Sequence, residues 1–167
     1  MKRLGAPKCN ILVIEANLAV TYESLGRYEQ ALQMKRDVYY GEVELYGEED
    51  ERTLGGAQNC AAGLVALGRY DLAKPWLRNQ IPIASRVLGN SDVHTLVMKK
   101  MYGRALYKDP GATLADLRDA VTTLEETERT MRRVLGGAHP HAVSIEQYLR
   151  DGRAALRARE AQPPPQA

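Results

Sequence analysis

Apolar positions along this chain recur at the spacing of amphipathic helices, and glycine interrupts the pattern at regular intervals. Leu12 and Ala19 share one face of a first predicted helix, which runs from about Asn10 to Leu25. Gly26 ends that helix, because glycine readily adopts a left-handed backbone conformation. A second apolar pattern then runs from about Tyr28 to Tyr46. The two segments predict an antiparallel helical hairpin.

The hairpin pattern repeats along the chain. The tetrad from Leu25 to Tyr28 returns from Leu67 to Tyr70, 42 residues later. An independent marker, Tyr46-Gly47, returns 42 residues later as Leu88-Gly89, and a third time 47 residues further on as Leu135-Gly136. Because two unlinked markers share one period, the sequence predicts a solenoid of stacked helix pairs.

The markers divide the chain into three predicted repeats and a final segment. The repeats cover about residues 4–46, 47–88 and 89–135, and the five extra residues of the third repeat fall at the turn signal Asp109-Pro110-Gly111. A last helix begins at Pro140, where proline is well tolerated, and runs to about residue 159. Its Arg150 and Arg153 replace small and apolar residues of repeat three, so we interpret it as a capping helix. Residues 1–159 are predicted to form one all-α domain, and residues 160–167 a disordered tail.

Composition removes several classes of function. Hydrophobic residues make up 44% of the chain and charged residues 26%, with a formal net charge of +2, so we expect neither a nucleic-acid partner nor a membrane partner. The two cysteines do not form the framework of a disulfide-rich secreted domain. No apolar run approaches the roughly 18 residues that span a bilayer, and the first residues lack a signal-peptide core. We therefore expect a cytoplasmic protein.

No set of residues suggests catalysis. His94, His139 and His141 lie near helix starts and are interpreted as capping residues, because no cysteine or further histidine stands at metal-ligand spacing. Neither Gly55-Gly56 nor Gly136-Gly137 is followed by the Gly-Lys-Ser/Thr end of a phosphate loop. We expect no enzyme activity, no catalytic residues, no metal and no cofactor.

The repeat markers, together with several residues inside the predicted helices, resemble tetratricopeptide (TPR) repeats of the kinesin-light-chain type. The period of such repeats is about 42 residues rather than 34. The resemblance covers about Leu4 to Arg153 and implies a right-handed α-solenoid of three repeats plus a C-terminal capping helix. It also explains a position shared by Ala19, Ala61 and Gly103, where only a small side chain lets the two helices of a hairpin approach closely. The motifs that carry the resemblance are Asn17-Leu18-Ala19, Tyr22, Gly26, Tyr28, Ala31, Leu88-Gly89 and the run from Leu135 to Pro140.

The resemblance implies a binding surface, because the first helices of successive TPR repeats line a concave groove. Asparagine there can donate to and accept from a bound peptide backbone, or can be solvated while holding its own hairpin. Three basic residues spaced four apart project from one helix face and favour an acidic peptide end, or else form a solvated basic face. The implied groove residues are Asn17, Gln58, Asn59, Lys100, Arg104 and Lys108.

Two functional hypotheses follow. The first is a non-enzymatic protein-interaction scaffold or adaptor, monomeric, that binds a short acidic peptide segment in the groove. The second is a structural or self-assembly module, a fragment of a longer repeat array in a larger signalling or motor-adaptor protein. The second rests on the start of the repeat pattern in phase at Leu4, with no polar capping helix ahead of it.

Overall fold

The computed structural model describes residues 5–161, which form seven helices and, within this range, no strand. This confirms the predicted all-α solenoid. Residues 1–4 and 162–167, with the first predicted repeat boundary and most of the predicted tail, lie outside the described residues. No helix of the described part has the length and apolar character needed to cross a membrane. The helices are α1 (Gly5–Ser24), α2 (Tyr28–Tyr46), α3 (Glu51–Ala66), α4 (Tyr70–Val87), α5 (Val93–Lys108), α6 (Leu114–Leu135) and α7 (Pro140–Glu160).

Side chains cap the helix starts where the repeat pattern places them. The Asp50 carboxylate accepts from the backbone amide of Arg52 over 2.9 Å. Asp92, one period later, accepts from the amide of His94 over 2.8 Å. These bonds satisfy backbone donors that the first helical turn leaves unpaired. The repeat boundary is therefore encoded twice, by a glycine that ends one helix and by a cap that begins the next.

The helices form two layers. Each helix packs against the next one in the chain, and α3 also packs against α5, as α5 does against α7. Thus α3, α5 and α7 lie side by side in one layer, while α2, α4 and α6 pack against them on the other side. Within the described residues α1 packs on α2 and does not contact α3, so a gap opens between the first two helices of the concave layer.

The core lies between the layers and depends on close helix approach. A Cβ added at Gly103 of α5 would lie 2.6 Å from Cγ of Leu124 in α6. Ala19 and Ala61, at the same position in earlier repeats, are fully buried. The requirement for a small side chain at this position is therefore met by contact between the two helices of a hairpin.

Candidate functional site

A cleft of about 180 Å³ lies between α1, α2 and α3, where the first helices are separated. Asn59 lines it together with the small apolar residues Ala16, Val20 and Ala62. Asn17 is exposed on α1 but is not among the residues that line the cleft. The structure thus brings one of the two predicted asparagines to an apolar depression on the concave side.

The amide groups of Asn17 and Asn59 make no hydrogen bond to another described residue. Both side chains are exposed. An asparagine side chain carries two donor hydrogens and an acceptor oxygen. The concave face therefore presents unpaired donors and acceptors one repeat apart.

The lining of the cleft includes a partly buried ion pair that sequence reasoning missed. The ammonium of Lys35, a buried residue of α2, donates to the carboxylate of Glu23 on α1. The backbone carbonyl of Lys35 accepts a hydrogen bond from the thiol of Cys60 over 3.3 Å. Burial raises the pKa of that thiol to about 12, so Cys60 is a neutral core residue rather than a nucleophile at neutral pH. Because the charges of Lys35 and Glu23 compensate each other, the side-chain amide of Asn59 is the polar group of the cleft lining that remains without a partner among the described residues.

Lys100 is held against the capping helix. Its side chain is buried, and Nζ donates to Nδ1 of His141 over 3.0 Å and to Oγ of Ser144 over 2.9 Å. Burial, with a smaller contribution from the nearby Arg104 guanidinium, lowers the pKa of Lys100 to about 8. Lys100 remains predominantly charged at pH 7, but two side chains of α7, His141 and Ser144, already accept hydrogen bonds from its ammonium group.

Arg104 and Lys108 differ in their exposure to solvent and in their side-chain contacts. Arg104 is half-buried, its Nη1 donates to Oη of Tyr148 over 3.0 Å, and its guanidinium lies 5.0 Å from the centre of that ring. Nε of Arg104 is buried without a hydrogen-bond partner. Lys108, at the end of α5, is exposed, with Nζ 5.6 Å from the ring of Tyr107. The structure therefore gathers Lys100 and Arg104 around Tyr148 and leaves Lys108 in solvent.

Gln58 repeats the contact of Lys100 one hairpin earlier. Its Oε1 lies 2.8 Å from Nδ1 of His94, so a side chain of α3 meets a histidine of α5 as Lys100 of α5 meets His141 of α7. The offset of 47 residues aligns His94 with His141 and Met101 with Tyr148. Met101 in turn aligns with Asn17 and Asn59 at the period of 42 residues, so the repeat register places Tyr148 at the position of the two predicted groove asparagines.

A larger cleft of about 400 Å³ lies between α4 and α6, on the side of α5 away from Lys100 and Arg104. The residues that line it include Pro82, Leu96, Tyr102 and Arg133. Sequence reasoning did not identify this cleft. Among the described residues, no three histidine, cysteine or acidic side chains converge as a metal site.

Comparisons with known proteins concern the fold. No family model and no curated protein matches the sequence. Two crystal structures of nearly identical TPR-like repeats from a Podosopora anserina protein described as a kinesin light chain are each 19% identical, with TM-scores of 0.69 and 0.66 over 89% of this chain and 68% of theirs. BtubC (BKLC) from P. vanneervenii is 13% identical, with a TM-score of 0.66 over 96% of this chain and 69% of its own. The chain has the fold of kinesin-light-chain-like TPR repeats.

Proposed function

We propose that this protein is a non-enzymatic scaffold that binds a short acidic peptide segment along its concave groove. The TPR-like fold indicates a protein-interaction scaffold in general. The observation that carries the finer proposal is the pair of unpaired asparagine amides, Asn17 and Asn59, at one repeat's spacing. Asn59 lines the cleft together with small apolar residues, and that combination suits a peptide whose backbone must be hydrogen-bonded while a small side chain is buried.

Groove geometry sets the length of the ligand. Packed helices lie about 8–10 Å apart, and an extended peptide advances about 3.3 Å per residue. About three residues of peptide therefore cross each interval between α3, α5 and α7. A segment of about ten residues would reach from the cleft beside α1 to the basic end of the groove.

The basic end of the groove sets the charge of the ligand. Lys108 is exposed and Arg104 presents part of its guanidinium, while Lys100 lies beneath them with its ammonium on α7. A carboxylate arriving here would meet Lys108 and Arg104 directly and would feel the charge of Lys100 at longer range. Hydrogen bonds to charged groups contribute about 1.5–3 kcal/mol each, which is enough to favour acidic over neutral peptides.

Isothermal titration with ten-residue peptides tests the proposal. Acidic and neutral peptides of one length and scrambled order would be titrated into the intact chain at low salt. We expect saturable binding, tighter for the acidic set, and weakened by added salt. If no acidic peptide binds more tightly than about 1 mM, which corresponds to roughly −4 kcal/mol, the scaffold has no peptide groove of this kind.

We extend the proposal to the domain organisation, the cellular location and the oligomeric state of the protein. The described residues act as one solenoid domain, with repeats at about 4–46, 47–88 and 89–135 and α7 as the capping helix; Glu160, predicted from the sequence to belong to the tail, is the last residue of α7. The domain works in the cytoplasm as a monomer, without a catalytic residue, metal or cofactor, and without nucleic-acid or membrane partners. Its ordinary composition and net charge of +2 support the last point.

A structural or self-assembly module is the second candidate function. The observation in its favour is a row of exposed apolar side chains on α1, among them Ile14 and Leu18. Light scattering on the intact chain over a range of concentrations separates the two. A monomer at high concentration contradicts self-assembly and leaves the scaffold proposal unchanged.

A further inference from the structure

Three exposed apolar side chains lie on one face of α1, Ile11, Ile14 and Leu18, and Leu25 follows in the turn directly after the helix; the four are named here the α1 strip. Ile14 is 64% exposed and Leu18 is 42% exposed. Their helical spacing puts them on a different face from Leu12 and Ala19, which are buried, and from Val20 on the cleft side. A row of exposed apolar side chains on one helix face indicates an interaction surface.

The equivalent face is covered in every later hairpin. In α3 it includes Gly56 and Gly63, where an added Cβ would lie 3.5 Å from Cα of Tyr39 and 3.0 Å from Cδ1 of Leu32, both in α2. In α7 it includes Gly152, whose added Cβ would lie 3.8 Å from Cδ1 of Leu124 in α6. The first helix of each later hairpin is thus covered here by the second helix of the hairpin before it. The α1 strip is the same face without its covering helix in the described structure.

The α1 strip also repeats the sequence of the covered face of α7. Ile14-Glu15 and Leu18 stand at the same register as Ile145-Glu146 and Leu149, 131 residues later, so both helices read Ile-Glu-x-x-Leu. In α7, Ile145 is 0% exposed and Leu149 is 7% exposed. Glu146 there forms an ion pair with Arg132 of α6. The helix that covers this face of α7 is α6, so α6 indicates the kind of helix that would fit the α1 strip.

We propose that the α1 strip docks an amphipathic helix of a partner protein, one that resembles α6 in having an apolar stripe and a basic residue placed to reach Glu15. In a second copy of this chain, α6 and the other second helices are not free to dock here, because α2, α4 and α6 are each packed between two first helices. The α1 helix of a second copy would bring the same acidic Glu15, and its basic residue Lys8 already forms an ion pair with Glu44 of α2. The strip faces away from the cleft, so the inference stands independently of the proposed peptide groove.

The probe is a synthetic peptide of residues 113–136, which contains α6 with the capping box formed by Thr113 and Asp116. Fluorescence anisotropy would follow its titration into the intact chain. We expect saturable binding that becomes at least tenfold weaker in the variant Ile14→Ser/Leu18→Ser. Both residues are exposed, so the variant is expected to melt at the wild-type temperature.

Exchanging the charges of Glu15 and of Arg132 in the peptide tests the register in which the peptide helix packs against α1. Glu15→Arg is expected to weaken binding about threefold, which is within the range of an exposed ion pair, and a peptide carrying Arg132→Glu is expected to restore it. The matched control is Val13→Ser, since Val13 is also exposed on α1 but lies off the strip. We expect that control to bind like the wild type.

Three results would overturn the inference. One is no saturable binding of the peptide. Another is equal affinity for the wild type and for Ile14→Ser/Leu18→Ser, which would show that the peptide binds elsewhere or replaces α6 in its own site. The third is a concentration-dependent dimer in analytical ultracentrifugation that the same variant abolishes, which would assign the strip to a second copy. Failure of the peptide groove would change none of these readouts.

Discussion

Nζ of Lys100 on α5 donates a hydrogen bond to Nδ1 of His141 on α7 over 3.0 Å. An ammonium group has donors only, so this bond requires a neutral imidazole with its own proton on Nε2. The same ammonium is bonded to Ser144. This one contact between the capping helix and α5 therefore depends on the protonation of His141.

Acidification is expected to weaken this contact. Burial lowers the pKa of His141 below its usual 6.5, with further lowering from Lys100 and His139. The unfolded chain gains its proton near pH 6.5, so the stability that neutral His141 provides is present above pH 6.5 and is lost as the pH falls through its lower folded pKa. His141→Gln keeps an acceptor for Lys100 but does not titrate. Thermal melts at pH 7.5 and 5.5 should show a smaller drop for the variant, whereas equal drops would mean that His141 does not couple to folding.

Glu42 is expected to destabilise the fold at alkaline pH. Burial raises the pKa of Glu42 to about 7, although Arg52 opposes this, and its Oε2 is buried without a hydrogen-bond partner. The folded chain holds this proton more tightly than the unfolded chain, so stability falls as the pH rises from about 4.5 to 7. Glu42→Gln is expected to raise the free energy of unfolding at pH 8 by about 1 kcal/mol. Glu44→Gln, at an exposed ion pair with Lys8, is the control, and urea titrations showing the same gain for both would contradict this account.

Two glycines of the first helices are expected to respond oppositely to alanine. Gly103→Ala places a Cβ 2.6 Å from Cγ of Leu124 and is expected to cost about 1–3 kcal/mol, since a packed core accommodates an extra methyl poorly. Gly55→Ala meets only a carbon of His94, at 4.0 Å, and is expected to stabilise α3 by about 0.5–1 kcal/mol. Denaturant midpoints of the two variants measure the difference. Equal midpoints would mean that helix approach at Gly103 is looser than the structure has it.

Much of the fold could be predicted because it is encoded locally and repeatedly. The capping carboxylates of Asp50 and Asp92 and the boundary glycines stand at one period, so each repeat supports the reading of the others. The small residue at Gly103 was likewise predictable from Ala19 and Ala61.

The environment of the site residues was less predictable, because it depends on how far neighbouring helices approach. Lys100, Arg104 and Lys108 are equally spaced on α5, yet the first is buried, the second is half-buried and the third is exposed. The difference comes from Tyr148 and Ser144 on α7. The gap between α1 and α3, which creates the cleft, has no counterpart in the local pattern.

Charge selectivity should depend on Arg104. Arg104→Ala is expected to weaken an acidic peptide about tenfold or more, because it removes a charge-assisted hydrogen bond, and to change a neutral peptide of the same length little. Parallel titrations of the two peptides measure this selectivity. Equal losses for both peptides would indicate that Arg104 supports α7 through Tyr148 rather than contacting the ligand.

The location of the peptide is the central claim, and one comparison tests it most directly. The tightest acidic ten-residue peptide would be titrated calorimetrically into the wild type, Asn59→Ala and Arg133→Ala, with a melt of each variant. Asn59 lies at the concave cleft and Arg133 at the larger cleft between α4 and α6. Loss of one or two backbone hydrogen bonds predicts about fivefold or greater weakening for Asn59→Ala with an unchanged melting temperature, and wild-type affinity for Arg133→Ala. The opposite result, wild-type affinity for Asn59→Ala and weakened binding for Arg133→Ala, would place the ligand in the larger cleft and contradict the concave groove.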